Sequence, residues 1–127
     1  MTAMFLNGDG MRDGSLHHRL QGAPLIAVAT TAAKYRFWDV GGRFPALEPV
    51  AGGGHAIRGE VYDVPLAVLR DDLLPAEPPE LELGIIELAE GKAALGMLLR
   101  QDFARPADLV DISSIGDWRK YRGARRW

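Results

Sequence analysis

Glycine and proline divide this chain into apolar runs that are too short for long helices. The sequence holds 15 glycines and 8 prolines among 127 residues. Between these breaks, alternating or β-branched apolar runs predict strands. Five segments fit that pattern: residues 3–8, 23–31, 34–40, 55–64 and 81–100, the last a hairpin that turns at Glu90-Gly91. The pattern predicts an α+β fold with about six strands and two or three short helices.

Two segments favour helices and one favours a loop. Residues 65–74 begin with proline and carry leucines at helical spacing. Residues 111–123 predict a short C-terminal helix that packs Trp118 and Tyr121 against the body. Residues 43–54 contain so much proline and glycine that we expect a surface loop there.

The composition limits the classes of partner and compartment. The chain is 47% hydrophobic and 25% charged with a net charge of -2, so nothing favours nucleic acid as a partner. It has no cysteine, which excludes a disulfide framework or a thiol nucleophile. No segment predicts a signal peptide or a membrane span. We expect one cytoplasmic domain over residues 1–127.

The loop after the first apolar run holds Gly8, Gly10 and Gly14. Their spacing misses the dinucleotide fingerprint, and the loop lacks the Gly-Lys-Ser/Thr ending of a P-loop. A strand, a glycine turn and a helix start can still gather N–H groups around an anion. The alternative is a tight turn that only reverses the chain, and the charges of Asp9 and Asp13 favour that alternative.

The histidines do not predict a metal site. His17 and His18 are adjacent, so on a helix their side chains diverge, and His55 is the third and last histidine. We therefore expect neither a metal nor an organic cofactor. One of the adjacent pair is either a proton-transfer group beside the loop or an ordinary surface or packed histidine.

Carboxylates cluster around the bend "PAEPPE". Any of them becomes an acid/base group if a cleft buries it and raises its pKa; otherwise the bend is simply solvated. The candidates are Asp71, Asp72, Glu77, Glu80 and Glu82.

The C-terminal segment "WRKYRGARRW" is basic, with aromatic residues between the cations. It either contacts RNA or a partner, or it places cations favourably at the end of a helix, and the second interpretation needs fewer assumptions. Its cations are Arg119, Lys120, Arg122, Arg125 and Arg126.

Several blocks together resemble a known family. "NGDGM" (residues 7–11) stands where γ-glutamylcyclotransferases have Tyr-Gly-Thr-Leu-Met, and "FPAL" (44–47) with "GEVYDV" (59–64) is similar to their second landmark. "LELGIIELAEGKAALGML" and "DISSIGDWRKY" are similar to the last hairpin and the ending of the C-terminal domain of allophanate hydrolases. The chain resembles a γ-glutamylcyclotransferase-like domain, and most closely that C-terminal domain.

The resemblance implies a small mixed β-barrel with a cavity between the first loop and "FPAL". The catalytic residues it suggests are His18, Asp9 and Glu77, although Glu77 is out of register with the cyclotransferase glutamate. His18 is similar to a second histidine of the allophanate hydrolase branch, whose loop histidine is replaced here by Gly10. The ligand-binding residues it suggests are Asn7, Gly8, Asp9, Gly10, Met11, Phe44, Pro45 and Ala46.

Two functions follow as hypotheses. In the first, the chain binds a small carboxylated amide-type metabolite of urea/allophanate-type nitrogen metabolism, as a decarboxylating or accessory protein. Loop amides from Gly8 to Met11 then hold the carboxylate, and Arg43 or Arg58 supplies positive charge. In the second, it is a non-catalytic assembly or dimerisation module, with a second copy or an amidase as partner. A γ-glutamyl cyclotransferase fits less well, since the loop side chains and the catalytic glutamate both depart from that pattern.

Overall fold

The computed structural model describes residues 1–102 and 104–124. This part of the chain forms eight strands that make one curled, half-barrel sheet. The strands are β1 (Ala3–Leu6), β2 (Leu25–Thr30), β3 (Tyr35–Val40), β4 (Phe44–Pro49), β5 (Arg58–Asp63), β6 (Leu81–Glu87), β7 (Ala93–Leu99) and β8 (Leu109–Asp111). The α+β class is confirmed, with eight strands instead of about six.

The sheet is mixed, as expected. Its strands follow the order β2-β5-β1-β7-β4-β3-β8, and β6 pairs with β7 outside that path. The β1–β7 and β4–β7 pairs are parallel. The other pairs are antiparallel, including the predicted β6–β7 hairpin.

Strand β7 has three partners. Met4 of β1 lies beside Leu95, and Leu47 of β4 lies beside Leu98. Strand β6 pairs with β7 along its whole length, from Leu99 back to Ala93. Because a strand has only two edges, β1 and β4 share the other edge, three residues apart. Strand β1 must therefore end, and the chain must turn away from β7, at the point where β4 begins to pair with β7.

The expectation of a loop over residues 43–54 is wrong for its first half, which forms β4. Proline lacks an N–H group and is tolerated only where a strand edge needs no donor. Strand β4 pairs with β3 throughout but with β7 only at Leu47, so Pro45 and Pro49 fall where its second edge has no such pairing.

Helical structure is short and lies at the ends of strands. Helix α1 (Leu66–Val68) continues into a π turn (Leu69–Leu73) and a 3-10 turn (Leu74–Ala76), which confirms the helical prediction for residues 65–74. Two further 3-10 turns cover His17–Leu20 and Ala89–Gly91. Within the described ranges, no helix is long and apolar enough to cross a membrane.

The prediction of one helix over residues 111–123 is only partly right. Its start belongs to β8, where Asp111 pairs with Trp38 of β3. Gly116 has a φ of 62°, a left-handed conformation that glycine adopts easily and that ends the extended segment. Helix α2 (Trp118–Ala124) follows, and Trp118 and Tyr121 pack against the core as expected.

The main core lies between the curled sheet and the short helices. Each large apolar side chain buried there contributes about 1.5–3 kcal/mol, and the largest include Met4, Phe5, Leu20, Phe37 and Ile57. Strand β2 is less buried than the other long strands because it lies at the edge of the sheet. Its side chains Leu25, Ile26 and Val28 remain 42–49% exposed.

The "DIS" block closes one end of the sheet. Ser113 is 3% exposed, and its Oγ accepts a hydrogen bond from the Phe37 N–H at 2.8 Å. The same hydroxyl donates to Asp111 Oδ1 at 2.6 Å. Ser113 therefore satisfies a buried backbone donor of β3 that would otherwise lose its hydrogen bond on folding.

We expect Ser113→Ala to lower the free energy of unfolding by about 1–3 kcal/mol, because it leaves the buried Phe37 N–H without an acceptor. Urea denaturation followed by circular dichroism measures this difference. Ser114→Ala, at an exposed neighbour, is the control. Equal stabilities of the two variants would contradict the assigned role of Ser113.

Candidate functional site

The glycine loop begins where β1 leaves the shared edge of β7. Its backbone is closed by three hydrogen bonds. The Met11 N–H donates to Gly8 O at 3.1 Å, the Gly14 N–H to Met11 O at 2.9 Å, and the Leu16 N–H to Asp9 O at 2.9 Å. The Met11 amide is thus used inside the loop, which corrects the expectation that it holds a ligand carboxylate.

Two loop positions need glycine because other atoms come very close. A Cβ at Gly8 would lie 2.8 Å from Pro45 Cγ, which is closer than real side chains approach. A Cβ at Gly14 would collide with the backbone of Asp9. Glycine at these positions lets the loop lie directly against β4 and fold back on itself.

A cavity of about 230 Å³ lies between this loop and the start of β4. The bend after α1 and the β6–β7 hairpin complete its walls. Its lining residues are Leu6, Asn7, Gly8, Asp9, Gly10, Ser15, Leu16, Arg43, Phe44, Pro45, Ala76, Glu77, Pro78, Leu81 and Met97. The cavity thus lies where the resemblance placed it.

Glu77 is the carboxylate that the bend brings to this cavity. It follows the 3-10 turn Leu74–Ala76, and its N–H donates to Leu74 O at 3.1 Å. Pro78 comes next and disfavours a helical conformation at Glu77, which is extended. Burial, together with the negative charge of Asp9, raises the pKa of Glu77 to about 7. A group that titrates near neutrality is suited to proton transfer.

Asp9 is held by the C-terminal helix. The buried Trp118 side chain donates through Nε1 to Asp9 Oδ1 at 3.4 Å. The aromatic ring packs in the main core, while Arg122 lies 5.3 Å above it. The loop carboxylate near Glu77 is therefore fixed from outside the loop.

Two of the residues that line the cavity, Asn7 and Arg43, carry hydrogen-bond donors in their side chains. Asn7 Nδ2 is buried and has no hydrogen-bond partner among residues 1–102 and 104–124. Arg43 lies 4.9 Å above the Phe44 ring and donates to Glu80 at 3.1 Å, while its side chain stays 56% exposed. An unpaired buried donor is costly unless a bound molecule or water accepts from it.

A hydrogen-bond network centred on Glu60 also holds the glycine loop in place. Glu60 is 3% exposed and accepts from the Arg12 N–H at 2.8 Å, the Tyr62 hydroxyl at 2.8 Å and Arg119 at 2.5 Å. Burial acts to raise the pKa of Glu60, but these three donors hold it below its ordinary value. Burial and the Glu60 carboxylate raise the pKa of Tyr62 to about 12. This network ties the loop to β5 and α2.

Most of the predicted site residues meet at the cavity. The sequence-predicted residues that line it are Asn7, Gly8, Asp9, Gly10, Phe44, Pro45 and Glu77. Met11 is instead buried in the main core, and Ala46 packs in a small apolar cluster with Leu81 and Leu99.

The structure does not bring His18 to the cavity. Its side chain is exposed and lies near Asp72. His17 is the histidine behind the loop, where Nδ1 lies 3.0 Å from Gly10 O and the ring packs edge-on against Tyr62. Neither ring lines the cavity.

Arg43 and Arg58 were the two predicted sources of positive charge. Arg43 lines the cavity and Arg58 does not. Arg58 lies beside Asp117, with 3.8 Å between Nε and Oδ2. Within the described residues, no group of three His, Asp or Glu side chains is placed to hold a metal ion.

The other carboxylates of the bend do not line the cavity, and each has a hydrogen-bond or ion-pair partner. Asp71 pairs with Arg70, Asp72 with Arg19, and Glu80 with Arg43. Glu82 accepts from the Gln101 N–H at 3.4 Å. Glu77 differs from these neighbours because it lines the cavity, where burial and the charge of Asp9 raise its pKa, and neither is visible in the local sequence.

The basic end of the chain has mainly structural contacts where it is described. Arg119 pairs with the buried Glu60, and Arg122 donates to Gly42 O at 2.6 Å. Arg125 and Arg126 lie outside the described residues. Sequence reasoning missed the contact from Trp118 to Asp9, because 109 residues separate the two and no local pattern links them.

Comparison with known proteins places this geometry in a family. The family model described as the allophanate hydrolase C-terminal domain matches residues 2–123. No curated protein sequence matches the chain. Among solved structures, the uropathogenic E. coli-specific protein c4763 is 34% identical, with a TM-score of 0.88 over 96% of this chain and 95% of that chain.

Two further solved structures are similar to this chain. The allophanate hydrolase of Kluyveromyces lactis is 25% identical with a TM-score of 0.87, and the match covers 98% of this chain but 21% of that one. An AIG2-like protein of Mus musculus is 20% identical, with a TM-score of 0.61 over 85% of this chain and 82% of that chain, which shows the γ-glutamylcyclotransferase-like fold alone. The chain belongs to the allophanate hydrolase C-terminal domain family.

Proposed function

We propose that the cavity binds a small carboxylate-bearing amide-type metabolite of urea/allophanate-type nitrogen metabolism and that Glu77 exchanges a proton with it. The observation that carries the proposal is Glu77 itself, a partly buried acid with a pKa of about 7 beside Asp9 in a cavity. A solvated carboxyl group at neutral pH has no proton to give, whereas a carboxyl group with a pKa of about 7 can both give and take a proton there.

The polar groups of the cavity suit such a ligand. Asn7 and Arg43 line the cavity, and their amide and guanidinium groups are of the kind that donate to a carboxylate. Asp9 and Glu77 are acceptors for the N–H groups of an amide. A molecule with a carboxylate at one end and an amide at the other satisfies both sets.

Glu77 can serve a decarboxylation in one balanced step. In an N-carboxylate, the bond between nitrogen and the carboxylate carbon breaks and carbon dioxide leaves. The electron pair stays on nitrogen, which takes the proton from the Glu77 carboxyl group. Glu77 is left as a carboxylate and regains its proton from water.

The family match motivates the choice of metabolite. The K. lactis relative is named for allophanate, and this chain corresponds to about a fifth of its length, 21%. The activity of that whole protein is carried to this chain only as a proposal. A second copy of the chain, or an amidase, is the protein partner we propose.

We expect the acid group at position 77 to make stability depend on pH. The pKa of Glu77 rises from an ordinary 4.5 to about 7 on folding, so the folded state keeps a proton that the unfolded state has lost. The contribution of Glu77 to the free energy of unfolding is fully present below pH 4.5 and is lost as pH rises through about 7. Glu77→Gln should therefore be about 1–3 kcal/mol more stable than wild type at pH 8 and nearly equal at pH 4.5.

Chemical denaturation at the two pH values measures this effect. Glu82→Gln, which removes a carboxylate outside the cavity, is the matched control. If Glu77→Gln and Glu82→Gln changed stability equally at both pH values, Glu77 would not titrate as proposed.

We expect ligand stabilisation to depend on the loop. A thermal-shift panel of allophanate, biuret, malonate, γ-glutamyl peptides and 5-oxoproline should include at least one compound that raises the melting temperature of wild type. Gly8→Val should abolish that shift, because its side chain would collide with Pro45. Asn7→Ala should weaken the same ligand about fivefold, since it removes one hydrogen-bond donor.

Gly52→Val is the matched control, because nothing lies within 4 Å of a Cβ at that glycine. Asn7→Ala introduces no clash, so it keeps the test valid if Gly8→Val unfolds. Failure of every compound to stabilise wild type would sink the proposal, as would full stabilisation of folded Asn7→Ala.

A further inference from the structure

A second cavity, of about 300 Å³, lies between the glycine loop, strand β5 and the start of helix α2. Its volume is at the lower end of the range of small-molecule pockets. The charged residues that line it are Arg12, Arg58, Arg119, Glu60 and Asp117. None of the residues around this second cavity also lines the cavity that contains Glu77, so the two are separate.

The two acids of the second cavity already have hydrogen-bond donors within the protein. Glu60 accepts the three hydrogen bonds described above, and Arg119 balances its charge. Asp117 accepts from the Lys120 N–H at 3.1 Å through Oδ1. The cavity therefore offers few acceptors to a ligand that carries positive charge.

The guanidinium groups of Arg12 and Arg58 are donors without acceptors. Among residues 1–102 and 104–124, neither guanidinium makes a hydrogen bond, since Arg12 contacts Glu60 through its backbone N–H. Arg58 Nε lies 3.8 Å from Asp117 Oδ2, which is too long for a hydrogen bond. The cavity also has three cations against two acids. Unused donors and an excess of positive charge both favour an anion.

The three arginines gather around the side chain of Glu60. Burial and the Glu60 carboxylate raise the pKa of Tyr62 to about 12, while the positive charges of Arg12 and Arg119 act in the opposite direction. Both guanidinium groups therefore lie near the Tyr62 hydroxyl, which donates to Glu60. Arg58 precedes Glu60 by two residues on β5, so their side chains leave the strand on the same face.

Beyond the proposed function, we propose that this second cavity binds the phosphate group of a small phosphate monoester through Arg12 and Arg58. A guanidinium binds an oxyanion through two parallel N–H groups. A carboxylate has two oxygens, which one guanidinium contacts in this way, whereas the phosphate group of a monoester has three terminal oxygens and can accept from both arginines. Val28 lines the cavity and is 49% exposed, so it gives the organic part of the ligand an apolar contact.

Phenyl phosphate, benzoate and inorganic phosphate are the probes. Amide NMR titrations at about pH 7.5, where the phosphate group is mainly a dianion, and at constant low ionic strength should show saturable shifts of the Arg12 and Arg58 signals with phenyl phosphate. Phenyl phosphate should bind about tenfold more tightly than benzoate, which carries the same ring on a carboxylate. It should bind about threefold more tightly than inorganic phosphate, which has no apolar part.

Removing either guanidinium should weaken this binding. Arg12→Gln and Arg58→Gln should each raise the Kd for phenyl phosphate about tenfold, because each loses hydrogen bonds between charged groups. Both side chains are exposed, so neither exchange removes a core contact. Arg70→Gln is the matched control and should leave the Kd unchanged, because Arg70 is an exposed arginine that pairs with Asp71 and does not line this cavity.

Several results would overturn the proposal. They are benzoate or inorganic phosphate binding as tightly as phenyl phosphate, a Kd unchanged in both Arg12→Gln and Arg58→Gln, and no saturable binding of phenyl phosphate to folded wild type. A Kd that rises in Arg43→Gln but not in the other two variants would place the ligand in the first cavity and overturn it as well. Failure here leaves the proposed function standing, since the two cavities share no lining residue.

Discussion

The shared edge of β7 is the constraint on which the site depends. Strands β1 and β4 both pair with that edge, at Leu95 and Leu98, and neither can extend past the other. The chain must turn away after Leu6, and the turn produces the glycine loop. The cavity is the space left where two parallel partners meet on one strand, so the topology itself creates the cavity.

The C-terminal helix α2 then holds the glycine loop and the neighbouring strands in place. Trp118 donates to Asp9, Arg119 pairs with Glu60, and the Tyr121 hydroxyl donates to Asp39 at 2.5 Å. Three residues within one turn of α2 thus hold the loop, β5 and β3. The segment "DISSIGDWRKY", which resembles the ending of the family's domain, therefore stabilises the glycine loop beside the cavity. Trp118, Arg119 and Tyr121 do not themselves line the cavity.

The sequence predicted the strands and the loop well because their signals are local. Alternating apolar residues and the Glu90-Gly91 turn were enough for the hairpin. Strand β4 was missed because Pro45 and Pro49 argue against a strand unless one knows that an edge is unpaired there. Most of the cavity lining was predicted, but Glu77 could not be separated from its acidic neighbours, since its raised pKa comes from tertiary burial and from the charge of Asp9. His18 was predicted from the resemblance, and in the structure neither its ring nor that of His17 lines the cavity.

The contact between Gly8 and Pro45 has a consequence for engineering the cavity. One wall consists of a residue without a side chain against a rigid ring, with no room for even one added carbon. That wall cannot be enlarged or reduced by exchanging rotamers. Changes in the size of the cavity must therefore come from other lining residues, such as Leu81 and Met97 of the hairpin, whose side chains can be exchanged for smaller or larger ones.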